Sequence, residues 1–166
     1  PKHLSSACGQ IVNFLGTMQN EWAGAQAFSS FDTYMAPFVR KDNVPYSEVV
    51  QCIQEMIYNL NVPSRWGTQT PFTNLTFDWT CPPDLAPQHP MIGGEEMPFT
   101  YGDLQEEMNM INRAYIEVMT RGDSKGRVFT FPIPTYNITP DFDWEGPNVK
   151  LLFDMTARYG LPYFQN

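Results

Sequence analysis

The sequence is poor in the residues from which most catalytic and metal-binding sites are built. Its 166 residues include three cysteines and two histidines. Cys8, Cys52 and Cys81 are far apart and form no C-x-x-C pair, which argues against a zinc knuckle or a dithiol redox motif. So sparse and odd a set also argues against a disulfide scaffold and for a reducing, cytoplasmic compartment. With only His3 and His89, a histidine-built metal site lacks ligands, and a Ser/His/Asp triad would need one of these two. Positive charge is scarce: ten Lys and Arg stand against eighteen Asp and Glu, a formal net charge of −8. No basic stripe marks a nucleic-acid binder. The basic groups at Lys2-His3, Arg40-Lys41 and Arg121, Lys125 and Arg127 read as solvated surface. No apolar run approaches the roughly 20 residues of a membrane span. The opening Pro-Lys-His-Leu-Ser-Ser lacks the apolar core of a signal peptide. Neither a Walker loop nor a G-x-G-x-x-G turn occurs.

What is present suits one packed segment. Hydrophobic residues make up 42%, too many for a disordered chain. Fifteen prolines and eleven glycines are dispersed, so they punctuate turns rather than form a linker. Residues Ser5 to Phe38 read as helix, with Ile11, Phe14, Leu15, Met18 and Trp22 at helical spacing; Pro37 and the Arg40–Pro45 stretch break the pattern, so two helices or one kinked helix are expected. Tyr46 to Leu60 reads as a second helix, bounded by Asn43 and Pro45 at its start and Asn61 and Pro63 at its end. Thr68 to Trp79 alternates threonine and aromatic residues as a strand does. Pro82 to Pro98 reads as an irregular connection. A helix from Thr100 closes at Gly122, and Val128 to Asn137 reads as a strand whose prolines put it at an edge or an irregular turn. Val149 to Tyr159 is a helix capped by Gly160, followed by a strand from Leu161 to Phe164. The chain thus divides into a mainly helical part, 1–63, and a β-α-β-α-β part, 64–166. That order favours a parallel sheet with open edges, an arc of a larger α/β barrel, with a complete three-stranded sandwich as the alternative.

Ligands of parallel α/β folds gather beyond the carboxyl ends of strands. That rule selects Asn74, Thr76 and Asp78 on the first strand, Thr135, Tyr136 and Asn137 on the second, and Gln165 and Asn166 on the third. These mostly neutral groups suit a sugar or phosphate better than proton transfer; for any single residue, satisfying strand-end backbone groups and turns is the more common role. The acid–base candidates are weak. His89 sits in a Pro-rich loop and reads as exposed, and Glu106-Glu107 reads as a solvated pair, since sequence neighbours on a helix point apart. Cys8 and Cys52 read as small buried residues, and nothing cationic stands near Cys81 to activate it.

Five strings carry a resemblance: His3-Leu-Ser-Ser-Ala-Cys-Gly-Gln10, Trp22-Ala-Gly-Ala-Gln-Ala-Phe-Ser-Ser-Phe-Asp-Thr-Tyr-Met-Ala-Pro-Phe38, Asn61-Val-Pro-Ser-Arg-Trp-Gly67, Thr70-Pro-Phe-Thr-Asn-Leu-Thr-Phe-Asp78 and Gly126-Arg-Val-Phe-Thr-Phe-Pro-Ile-Pro-Thr-Tyr-Asn-Ile-Thr139. Together they resemble the catalytic subunit of anaerobic, class III, glycyl-radical ribonucleoside-triphosphate reductases over nearly the whole chain. The resemblance implies a ten-stranded α/β barrel of which this is an internal segment. It implies reduction of ribonucleoside triphosphates by a thiyl cysteine, a glycyl radical installed by an iron–sulfur, S-adenosylmethionine-dependent activase, a four-cysteine zinc site, and formate as reductant in many members. It also implies a homodimer with ATP or dNTP effectors at its interface. In family order the thiyl cysteine follows the Tyr163-Phe-Gln-Asn166 strand. Cys8, Cys52 and Cys81 match none of the family's functional cysteines, so no catalytic residue is assigned here.

For the effector, the resemblance points to Gln10 and Lys41; for the substrate cavity, to Asn74 and Asn137. A non-catalytic nucleotide-binding and dimerisation module, or another glycyl-radical barrel enzyme, remains an alternative on sequence grounds. Both ends read as cuts in a longer polypeptide, although Met removal before Pro1 would mimic the first. The corresponding prediction is that the coding sequence runs past Asn166 into a loop cysteine, a cysteine cluster and a radical glycine. Sequencing the gene checks it, and a stop codon at that point would leave nucleotide binding and dimerisation as the function.

Overall fold

A computed structural model describes residues 1–63 and 69–166. The elements run α1 Leu4–Met18, β1 Gln26–Phe28, α2 Phe31–Asp42, α3 Tyr46–Asn61, β2 Thr73–Phe77, β3 Met91–Ile92, β4 Glu95–Glu96, a 3-10 turn Tyr101–Asp103, α4 Gln105–Arg121, β5 Ile133–Asn137, α5 Val149–Tyr159 and β6 Tyr163–Gln165. One parallel sheet takes the order β1-β2-β5-β6. The expected start of the first strand at Thr68, the domain division at residue 64, and Ser64 to Gly67 of the third string lie outside the described residues.

The sheet has two unlike faces because successive strand residues point opposite ways. Thr73, Leu75 and Phe77 of β2 are buried, as are Pro134 and Tyr136 of β5. On this side Phe31 of α2 and Tyr115 of α4 both meet the Phe77 ring, with centroids 5.7 and 4.6 Å away, and Tyr136 stacks on it at 4.7 Å. The other face carries Asn74 and Thr76 of β2, Ile133, Thr135 and Asn137 of β5, and Tyr163 and Gln165 of β6, all half-buried or exposed. Among the described residues, α2 and α4 cover the buried face.

Over residues 5–38 the structure has two helices, α1 and α2, with an unexpected strand between them. The apolar spacing is real as far as Leu15, but Gly24 takes a φ of +99°, open to glycine and costly to other residues, and the chain turns into β1. The sheet therefore gains a strand inside the part read as mainly helical. Pro37, expected to break a helix, lies within α2. It removes one backbone bond, and the burial of Phe31, Met35, Ala36, Phe38 and Val39 offsets that loss. The strand at 128–137 begins only at Ile133 and is internal rather than at an edge. Pro134 is tolerated there because pairing with β6 starts at Thr135, one residue later. The 82–98 connection contains a small hairpin, β3 and β4, turned by Gly93 and Gly94 with φ of +62° and +87°.

Helix boundaries elsewhere follow their local chemistry. Thr100 and Asp103 make the reciprocal bonds of a capping box ahead of α4, and Gly122 and Gly160 close α4 and α5 with positive φ. Glu107, read as solvated, is buried and makes a two-pronged pair with Arg40 that ties α4 to α2, so Arg40 is not free surface charge either. Since Phe77 touches both covering helices, Phe77→Ala should cost about 3–5 kcal/mol. Chemical denaturation checks this, and a loss below about 1 kcal/mol would place the core elsewhere.

Candidate functional site

The carboxyl ends of β2, β5 and β6 open onto a cavity of about 320 Å³ lined by Asp78, Thr80, Cys81, Asn137, Thr139, Asp141, Gln165 and Asn166, among others. Its frame is set from beneath by Asp32, in the first turn of α2. Asp32 is fully buried and meets no cation among the described residues; its carboxylate accepts from the backbone N–H groups of Asp78 and Trp79, both at 2.8 Å, from Thr33 N–H at 3.0 Å, and from Asn112 Nδ2 at 2.9 Å. An unpaired carboxylate would not survive at such depth, and these donors are what make it tolerable. Between them they clamp the point where β2 ends. Trp79 there has a φ of +66°, unusual for a bulky residue. Its N–H is fixed by Asp32, its carbonyl by Gln105 Nε2 at 2.8 Å, and its ring by stacking on Phe142 at 5.3 Å.

From that corner a chain of side-chain bonds crosses the rim. Thr33 Oγ1 donates to Asp78 Oδ2 at 2.5 Å, Asn137 Nδ2 to Asp78 Oδ1 at 2.9 Å, and Gln165 Nε2 to Asn137 Oδ1 at 2.6 Å. The site is thus acceptor-rich and neutral to acidic. It can orient hydroxyl groups; it offers no cation for a phosphate among its lining residues.

The sequence-selected residues separate into two places. Asn137 sits on the rim, level with Gln165 in the strand register. Asn74 shares the open face but is the second residue of β2, at the far end of the strand from Asp78, and it donates to Thr135 Oγ1 at 3.0 Å. Gln10 lies on α1, beside a mainly apolar groove of about 380 Å³ formed with Ile11, Phe14, Phe28, Met35 and Phe38. Lys41 does not line that groove: its Nζ donates to Asp42 at 2.8 Å and to the Lys2 carbonyl at 3.1 Å. The buried Asp32 and Asn112 escaped the sequence reading. An aspartate one residue into a helix looks like an ordinary helix-start charge, and its burial is visible only in three dimensions.

The remaining candidates are quiet. Cys8 and Cys52 are buried on α1 and α3, and burial pushes the Cys8 thiol up to about 12. Cys81 is half-buried, and burial followed by the charges of Asp78 and Asp32 raises it to about 11, the opposite of an activated thiolate. His89 is exposed and its Nδ1 lies within bonding distance of the Met97 and Phe99 carbonyls. Among the described residues no group of His, Cys, Asp and Glu could hold a metal ion, and the three thiols fall short of a four-cysteine zinc set. No helix among them is long and apolar enough to cross a membrane.

The described residues form a parallel α/β sheet with a polar, partly acidic rim at the carboxyl ends of its strands. The chain belongs to the anaerobic ribonucleoside-triphosphate reductase family, whose model matches residues 1–166. Similar solved structures include an anaerobic ribonucleotide reductase at 25% identity and TM-score 0.74, with 99% of this chain covering 27% of that one. The Thermotoga maritima anaerobic ribonucleotide reductase in complex with dATP and CTP is similar at 24% identity and TM-score 0.72, over 100% of this chain and 29% of that one. The same enzyme with citrate in the active site is 23% identical, with TM-score 0.72, over 99% and 31% of the respective chains. This chain therefore spans less than a third of the length of these structures. No curated protein matches it significantly.

Burial pushes Asp32 up to about 6; the Asn112, Asp78 and Trp79 hydrogen bonds oppose that rise and the Asp78 charge adds to it. Its folded pKa then lies above the unfolded value of about 3.9, so the native state binds the proton more tightly. Its contribution to stability is complete below about pH 4 and is lost as pH rises to about 6. Asp32→Asn should remove that pH dependence. It should also cost about 1–3 kcal/mol, because an amide nitrogen would then face N–H donors. Urea unfolding across this window checks both, and parallel pH profiles for the two proteins would contradict the assignment.

Proposed function

We propose that the chain works within a longer anaerobic reductase polypeptide that converts ribonucleoside triphosphates to deoxyribonucleoside triphosphates. Its sheet forms an arc of the ten-stranded catalytic barrel, with the open polar face toward the substrate cavity. The observation that carries this reading is the acceptor-rich rim of Asp78, Asn137 and Gln165 at the carboxyl ends of parallel strands, in a chain matched along its whole length by the reductase family. Asn137 and, deeper along the strand, Asn74 contribute neutral hydrogen-bonding groups to the cavity wall.

The radical chemistry is carried by other parts of the polypeptide: a thiyl cysteine, a glycyl radical installed by the iron–sulfur, S-adenosylmethionine-dependent activase, and a zinc site, with formate as reductant. The residues here bind, orient and exclude water; none of them moves the hydrogen atom. The α1–α2 side with Gln10 and Lys41 serves the homodimer and its ATP or dNTP effectors, in a cytoplasmic enzyme. A similar structure, the Thermotoga maritima anaerobic ribonucleotide reductase with dATP bound in the specificity site, supports that assignment.

The full-length protein, activated under anaerobic conditions and supplied with formate as reductant, should convert a ribonucleoside triphosphate to its deoxy product and leave small organic acids other than formate unchanged. Turnover of a small acid alone would point to another glycyl-radical enzyme. Lys41→Ala should weaken effector affinity about tenfold, the scale of one charge-assisted contact. Unchanged affinity in equilibrium binding removes Lys41 from the effector site and leaves it as the partner of Asp42 and the Lys2 carbonyl.

A further inference from the structure

The direction of the hydrogen bonds along the rim is set from inside the protein. Asp78 is nearly buried, and its carboxylate serves as an acceptor for Thr33 Oγ1 and Asn137 Nδ2. Asn137 must therefore turn its amide nitrogen inward, which sends its oxygen outward to accept from Gln165 Nε2. Gln165 has then committed its nitrogen, and its Oε1 is left as the acceptor at the exposed end of the chain. The backbone that carries Asp78 is itself held by Asp32, so the order of donors and acceptors starts at a fixed point.

We propose that Asp78 is a positioning residue that fixes this polarity, so that Gln165 Oε1 accepts a hydroxyl group of the substrate sugar. The proposal rests on the substrate reading above. Charge decides between the two ends of a nucleotide. The cavity is lined by the carboxyl groups of Asp78 and Asp141, and no Lys, Arg or His is among its described residues. A triphosphate brings only anionic acceptors and would meet acceptors there. A ribose hydroxyl brings a donor and fits.

The test uses the full-length, activated reductase. Asp78→Asn gives position 78 an N–H of its own, so both rim amides can reverse and present nitrogen to the cavity. The variant should raise KM for a ribonucleoside triphosphate about tenfold, the effect of one lost hydrogen bond. The competitive inhibition constant of the 2′,3′-dideoxy analogue, which lacks the hydroxyls, should stay as in wild type. Gln165→Leu alters an exposed side chain, leaves the buried carboxyl groups in place and should give the same selective loss. It decides the question if Asp78→Asn does not fold. Wild-type KM in Gln165→Leu, or equal weakening of substrate and dideoxy analogue, overturns the proposal. A wild-type enzyme without ribonucleotide turnover overturns the substrate reading itself, an outcome that the variants cannot mimic.

Discussion

The fold turns on a buried carboxylate held by four N–H donors. Asp32 sits in the first turn of α2 and holds the backbone of Asp78 and Trp79 while taking a bond from Asn112 of α4. Three elements meet at one side chain: a covering helix, the end of a central strand, and the second covering helix. Removing the charge from water is costly, and the arrangement persists because each donor is presented by a rigid element. The exit of β2 is held from both covering helices, and the candidate site is built on it.

The core and the site share residues rather than lying in separate regions. Phe77 stacks on Tyr136 beneath the rim, and the next residue on each strand, Asp78 and Asn137, forms the rim's own bond. Trp79 continues the aromatic series to Phe142, and Phe142 meets Trp144 at 4.6 Å. Packing therefore fixes the height of the polar groups, and alternation along the strands fixes which of them face outward.

Much of this was legible in the sequence, and the parts that were not share a cause. The 46–60 helix, the helix closed by Gly122 and the helix at 149–159 were found because periodicity and capping signals agreed. The three-residue strand β1 was absorbed into a helix because Gln26-Ala-Phe28 is too short for any period to register. It exists because β2 pairs with it. Pro37 and Pro134 misled for a related reason: local rules give the cost of a proline, while burial in α2 and the late start of β6 decide whether that cost is tolerated. Asn137 and Gln165 could be picked from strand ends, whereas Asp32 and its bond to Asn112, eighty positions away, are tertiary facts. Glu107 and Arg40 likewise look like surface charges until α2 and α4 are side by side.

The strand register gives the rim a slope. β1 stops at Phe28, level with Leu75, two residues short of the end of β2, while β5 runs one residue past the partner of Phe77, to Asn137. β6 reaches the same height, with Gln165 opposite Asn137. The carboxyl ends therefore climb like a terrace from the β1 side to the β6 side. A molecule resting on it meets a wall of amides on one flank and a step down on the other, so the sheet alone gives the floor a direction of approach.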